Sequence, residues 1–367
     1  MERKDTSVVQ RNYGVDLLRI VSMFMVVVLH ILGGGGILDS TKPLSVNYCC
    51  AWLLEIAAYA AVDCYALISG YVGIRAKRKW TNVVMLWLQV AFYSCLFTVI
   101  FGNVNADITG IKKIIKSLLP VTFQPYWYFT AYVGMWLFIP ILNAAVEVLS
   151  KRQMGITLAI AIGVIIPVSI LSDAFTVKGG YSVMWLMCLY LVGAFLKKHN
   201  ILQLLTKKKW LSAYLVCVAV TMLSKVCIVI IRGSTGNVLV NYVSPTIILS
   251  AIALLGVFSN LKINEIHIKW IRWISPLVFG VYLIHNHPLV FEITMRDRFK
   301  WLAERNFLEL IGCVVLIAIA IFAGCIIIEY VRSKIISLLK VKSLIQLFEE
   351  KIECLWQRIF LKVETRA

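Results

Sequence analysis

Long, strongly apolar runs with few charges alternate with short basic segments along most of the chain, up to about residue 331. Ten of these runs read as spans: 15–33, 50–72, 81–102, 127–149, 155–172, 182–196, 209–231, 243–259, 272–291 and 307–331. A bilayer crossing needs about 20 apolar residues when helical. Lipid supplies no hydrogen-bond partners, so each span must satisfy its own backbone, as a helix does. The pattern therefore predicts an all-α, polytopic membrane protein with about ten transmembrane helices. These form one transmembrane domain over 1–331, followed by a tail at 332–367. The runs at 182–196 and 243–259 are the shortest. Two further stretches, "DITGIKKIIKSLLP" and the tail, place lysines between apolar residues at helical spacing, the pattern of helices lying in a membrane surface.

Composition agrees with the pattern. The chain has 367 residues, 60% of them hydrophobic and 15% charged, with a mean hydropathy of +0.84. Soluble domains carry about 25% charged residues. The net charge of +18 would suggest nucleic acid in a soluble protein, but here it is unevenly spread. With the N-terminus inside, 24 of the 37 Lys and Arg fall on inner segments and ten on outer ones. The positive-inside rule then puts both termini in the cytoplasm and implies no nucleic-acid partner. The tail is expected to lie along the inner leaflet, its lysines near anionic membrane lipid, or else to dock a partner as a helix. The ten cysteines fall almost wholly in apolar runs, without metal-ligand spacing, so neither a metal site nor a disulfide framework is expected. The "GGGG" at 33–36 follows a helix rather than opening one. It reads as a flexible outer turn, not a phosphate cradle.

Ionisable residues inside spans are the candidates for chemistry, because lipid makes them costly. In "RIVSMFMVVVLH", Arg19 and His30 are eleven residues apart, close to three helical turns, so they share a face. About 16 Å separates them along the axis, half the hydrocarbon thickness. Arg19 lies towards the inner side, with Asp16 one turn away to pair with it. His30 lies in the outer half. The second span brings Glu55 to a similar depth and Asp63 close to the midplane. Either carboxylate is a candidate to orient the imidazole; pairing with a buried base such as Lys225 is the alternative. In "GIRAKRKW", Arg75 and Arg78 share a face, as a phosphate clamp or as an ordinary positive-inside cluster. His285 and His287 point apart on one span. His285 either lines a path or hydrogen-bonds within the core.

The order of these features resembles the acyltransferase type three family, membrane enzymes that modify cell-surface glycans. The resemblance rests on five motifs. They are Arg19 and His30; "VDCYALISGY"; Arg75 and Arg78; "PYWYFTAYVGMWLFIPIL" with Trp127, Tyr128, Tyr132 and Pro140; and "SPLVFGVYLIH" with Ser275, Phe279, Gly280, Tyr282 and His285. It covers about residues 13–330. Two features depart from it: Cys64 and Tyr65 stand where two aromatics are usual, and no outer hydrolase-like domain is read. The resemblance implies transfer of an acyl group, by default acetyl, from cytoplasmic acyl-coenzyme A to a hydroxyl of a cell-surface or lipid-linked glycan, in a bacterial plasma membrane. On that reading His30 is the catalytic general base or an acyl carrier, with Arg19, Asp63 and Glu55 in support. Arg75 and Arg78 hold the acetyl-CoA phosphates, and Trp127, Tyr128, Tyr282 and His285 are substrate-side residues. A polytopic transporter or flippase for a glycan or small solute is the alternative, since buried charges also mark transport paths. Nothing in the pattern predicts an oligomeric state.

Overall fold

The structure is a computed structural model that describes residues 11–74, 76, 79–102, 111–233 and 236–364. Arg75 and Arg78 lie outside the described residues. The elements described are all helical. In chain order they are α1 (Tyr13–Leu29), α2 (Ile37–Ser40), α3 (Val46–Tyr59), α4 (Ala61–Gly73), α5 (Trp80–Gly102), α6 (Ile111–Leu118), α7 (Pro120–Phe123), α8 (Trp127–Val148) and α9 (Lys151–Leu171). There follow α10 (Val183–Lys198), α11 (Lys207–Arg232), α12 (Pro245–Ser259), α13 (Glu265–Ile274), α14 (Val278–His285), α15 (Pro288–Thr294), α16 (Phe307–Leu338) and α17 (Val341–Glu364). Helix starts carry the expected caps. Asn12, Ser45, Thr206 and Asn306 each accept a hydrogen bond from a first-turn amide. Ser150 and Gln153 form a capping box.

Among the described residues, seven helices or helix pairs are long and apolar enough to cross a membrane, and a bent pair makes up to eight. α10 and α12, where two further spans were expected, have 16 and 15 residues. At 1.5 Å per residue they reach about 24 and 22 Å, short of a full hydrocarbon layer. Both are buried on most sides, within the main core. The peripheral helices α9, α11 and α16 show the opposite pattern, with large exposed apolar faces such as Leu171, Ile231 and Leu316. Those faces are what a helix presents to lipid.

The centre is a close crossing of α4 and α10. A Cβ at Gly70 would lie 1.8 Å from the Tyr190 carbonyl oxygen, and one at Gly193 would lie 2.0 Å from the Leu67 oxygen. Glycine at both positions lets the two backbones meet, the usual route to tight helix association in lipid. α1 and α12 pack against α4 and against each other within the same core.

Two segments differ from their sequence reading. The 272–291 run is not one helix. It divides into α13, α14 and α15, with a bend of 72° between Glu265–His285 and Pro288–Thr294. Pro288 lacks an N–H and pushes His287 to extended geometry (φ −62°, ψ 131°), so α14 ends at His285. The glycine run is not a free turn either. α1 passes into one π-helical turn at His30–Gly34, whose last two residues are glycine. The Gly34 and Gly35 carbonyls accept from Asp297 and Phe299, each at 3.0 Å, and a Cβ at Gly34 would lie 2.2 Å from the Phe291 ring. Glycine here is needed for docking the segment after α15. π-turns of this kind are frequent at functional sites.

Candidate active site

The π-turn places His30 directly against the broken span. His30 Nδ1 lies 2.8 Å from His285 Nε2, and His285 Nδ1 lies 2.6 Å from the Val281 carbonyl oxygen. A carbonyl only accepts, so His285 Nδ1 carries a proton. With both rings neutral, His285 Nε2 is then the acceptor, and His30 donates to it from Nδ1. This fixes the His30 tautomer and leaves its Nε2 with a free lone pair. Phe291 meets the imidazole edge-on, with centroids 5.7 Å apart at 90°, and limits ring rotation.

Three cavities line up past this pair. The basal cavity, about 700 Å³, is lined on its polar side by Arg11, Arg19, Arg332 and Lys342, and also by Gln89, Tyr132 and Ser275. The waist cavity, about 180 Å³, holds His30, Glu55, Tyr59, Trp127, Tyr128, Tyr181, Tyr242 and Tyr282. The distal cavity, about 340 Å³, holds Asp39, Trp52, Glu55, Lys225 and Asn237. Basal and waist cavities share Tyr65, Tyr128 and Phe279 as walls, and waist and distal cavities share Glu55 and Tyr59. His30 therefore stands between a basic chamber at the Arg19 end of α1 and a polar chamber at the other end.

The sequence candidates distribute over this path as follows. Arg19 donates to Asp16 at 2.7 Å, its backbone carbonyl accepts from the Tyr65 hydroxyl at 2.7 Å, and it faces the basal cavity. Neither carboxylate is the partner on His30 Nδ1; His285 is. Asp63 is fully buried and accepts from Trp185 Nε1 at 3.2 Å, and it lines none of the three cavities. Glu55 is 7% exposed, and its Oε2 has no hydrogen-bond partner among the described residues. It lies where the waist and distal cavities meet. Lys225 is held by the Gly236 carbonyl at 3.0 Å and Asn237 Oδ1 at 2.5 Å, with its ammonium 3.4 Å from the Trp52 ring centroid. Tyr128 also points an unpartnered hydroxyl inward. A buried polar group left open to a cavity is one that a ligand can satisfy. His287 instead packs on the Phe97 ring and accepts from the Leu289 amide, a structural role.

Trp127 belongs to an aromatic wall that was not legible in the chain. Its ring is 4.4 Å from that of Tyr181, which is 5.2 Å from Tyr242, itself 4.8 Å from Tyr59. Tyr181 and Tyr242 come from loops far apart in sequence. The only signal available was an aromatic residue beside each of two loop turns, "KGGYS" and "VNYVSP". Among the described residues, no group of three or more His, Cys, Asp or Glu is arranged to hold a metal ion.

A free imidazole lone pair facing a cavity, with its opposite nitrogen fixed, is the arrangement of a general base. Comparison with known proteins agrees with an enzyme rather than a transporter. A family model described as an acyltransferase domain matches residues 12–330, spanning His30, the aromatic wall and His285. Neither the curated proteins nor the solved structures give a match. With the match running from the cap of α1 to within α16, the chain belongs to the acyltransferase type three family and is a multi-pass membrane acyltransferase.

Proposed function

We propose that the protein moves an acetyl group from cytoplasmic acetyl-coenzyme A to a hydroxyl of a cell-surface or lipid-linked glycan, in a bacterial plasma membrane. The single observation that carries this reading is the His30–His285 pair at the junction of a basic chamber and an aromatic, carboxylate-bearing one. The excess of Lys and Arg on alternate segments assigns the basal cavity to the cytoplasmic side, and both termini with it. An anionic donor then enters from the basal side, towards Arg19. Arg75 and Arg78, which precede α5, are proposed to add to the same donor site.

The acceptor approaches from the distal side. Its ring lies on the wall of Trp127, Tyr181 and Tyr242, and Glu55 accepts from one of its hydroxyls. Its reacting hydroxyl gives a proton to His30 Nε2 as the oxygen attacks the thioester carbonyl carbon. The resulting oxyanion is held by the Tyr128 hydroxyl as donor, with Tyr282 beside it. Collapse breaks the carbon–sulfur bond, and the thiolate leaves with the proton that His30 carried. His285 keeps His30 in the productive tautomer and accepts from Nδ1–H while the ring is charged. Asp63 supports the fold beside Trp185 rather than the imidazole.

Membranes containing the protein, supplied with acetyl-labelled coenzyme A, should pass label into surface glycan. His30→Ala should reduce the rate by the 10² to 10⁴-fold that general bases typically contribute. Label transfer undiminished in that variant would refute the mechanism.

A further inference from the structure

The matched family region ends at residue 330, yet two of the four cations lining the basal cavity come later in the chain. Arg332 is in the last turns of α16, and Lys342 opens α17. At 32 residues, α16 is about 48 Å long, well beyond a hydrocarbon layer, so its end projects past the membrane core.

Arg332 is fixed, not loose. Its Nε and Nη2 donate to the two oxygens of Glu329 at 2.8 and 2.6 Å. Glu329 is 1% exposed and also accepts from Gln89 Nε2 at 3.1 Å and from the Tyr93 hydroxyl at 2.7 Å. Four donors on one buried carboxylate leave its position no freedom. The guanidinium it carries is held beside the Tyr93 ring and lines the cavity. Arg11 and Arg19, which also line the cavity, each donate one bond to buried Asp16, at 2.6 and 2.7 Å. In both cases the acid sits behind the cation: neither Asp16 nor Glu329 lines the cavity, and no acidic side chain among the described residues does. Lys342 has no acidic partner among the described residues. The chamber therefore presents cations only, and its nearby charges sum to a positive excess.

α17 is anchored where it can hold Lys342 at the rim. Glu349, seven residues on, accepts from the Trp80 and Thr81 amides at 2.5 and 3.1 Å and from the Thr81 hydroxyl. It thereby caps the first turn of α5 with a negative charge, the favourable sign at a helix N-terminus.

From this geometry we propose that the segment after residue 331 is part of the donor site: Arg332 and Lys342 bind the phosphates of the acyl donor, and Glu349 docks α17 so that Lys342 closes the chamber. This rests on the donor reading above and adds residues that lie outside the family domain. A fixed guanidinium and an ammonium on successive helices, both lining one chamber, suit a ligand bearing several phosphate groups.

The test compares two donors that share the reacting thioester but differ in phosphate: acetyl-coenzyme A and S-acetylpantetheine. Full-length protein is placed in zwitterionic nanodiscs. Lys342→Ala and Lys342→Glu alter an exposed side chain and leave packing intact. Arg332→Lys keeps a charge for Glu329 and loses the fork. Each should raise KM for acetyl-coenzyme A by about tenfold, the loss of one charge-assisted hydrogen bond of ~1.5 kcal/mol, with kcat held. KM for S-acetylpantetheine should not move. Equal changes for both donors, or no change for either, would overturn the assignment. So would an effect of Lys342→Glu seen only when anionic phospholipid is added, which would assign these cations to a lipid headgroup. Failure of the intact protein to use acetyl-coenzyme A would overturn the donor reading and this inference together. Intact transfer with unshifted KM in the variants would overturn this inference alone.

Discussion

Replacing His285 is the sharpest test of the active-site geometry, because it disturbs His30 without touching substrate. In His285→Ala, His30 Nδ1 loses its hydrogen-bond partner at 2.8 Å, the one it has among the described residues, and the tautomer is no longer fixed. Before reaction that bond joins two neutral rings and contributes about 1 kcal/mol. Once His30 has taken the acceptor's proton, the same bond carries a charge and contributes ~1.5–3 kcal/mol. Only the difference between the two states changes kcat, and loss of tautomer control adds to it. At 1.36 kcal/mol per tenfold, a difference of about 0.5–2 kcal/mol should lower kcat by roughly 2- to 30-fold before the loss of tautomer control is added, with KM for both substrates little changed. Gln at this position reaches to about where Nε2 stood and offers a carbonyl acceptor, so His285→Gln should recover part of the loss. The assay is label transfer from acetyl-coenzyme A to acceptor in membranes, normalised to protein, with kcat and KM separated. The His30→Ala/His285→Ala double variant should be no slower than His30→Ala alone, because His285 acts only through His30. Multiplicative losses in the double variant, or full activity in His285→Ala, would refute the arrangement.

Tyr242→Ala and Trp127→Ala should each raise acceptor KM by several-fold, from the ~0.5–1.5 kcal/mol of an aromatic contact, and leave donor KM unchanged; a kcat effect alone would count against an acceptor wall. Gly70→Ala should destabilise the protein by at least about 1–3 kcal/mol, because the new methyl meets the Tyr190 carbonyl and parts α4 from α10, and thermal unfolding in detergent would show it as a lowered Tm. Glu349 is partly desolvated, which opposes ionisation, but its bonds from Thr81 and the Trp80 and Thr81 amides hold the carboxyl below the usual carboxylate range. Its docking should therefore be present above the free carboxylate pKa and be lost as pH falls through the lower folded value; a spin-label distance between α5 and α17 that does not change under acid would contradict this.

The sequence alone determined the membrane class, the helical form and the Arg19–His30 spacing, because lipid imposes a length, a backbone rule and a cost on charge that act residue by residue. It also supplied the order of motifs that led to the family. It did not reveal that the ninth span breaks, because Pro288 can kink a helix or end it, and the choice depends on what packs behind it. It pointed to a carboxylate behind His30, since Glu55 is at the right depth, but depth says nothing of rotation about a helix axis. That rotation turns Asp63 to Trp185 and leaves Glu55 facing the cavities, and the break at Pro288 delivers His285 to the imidazole instead. The aromatic wall and the Glu329–Arg332 cluster were hidden for the same reason. Gln89 and Glu329 lie 240 residues apart in the chain, and Tyr59, Trp127, Tyr181 and Tyr242 come from four separate segments, so only tertiary packing brings them together.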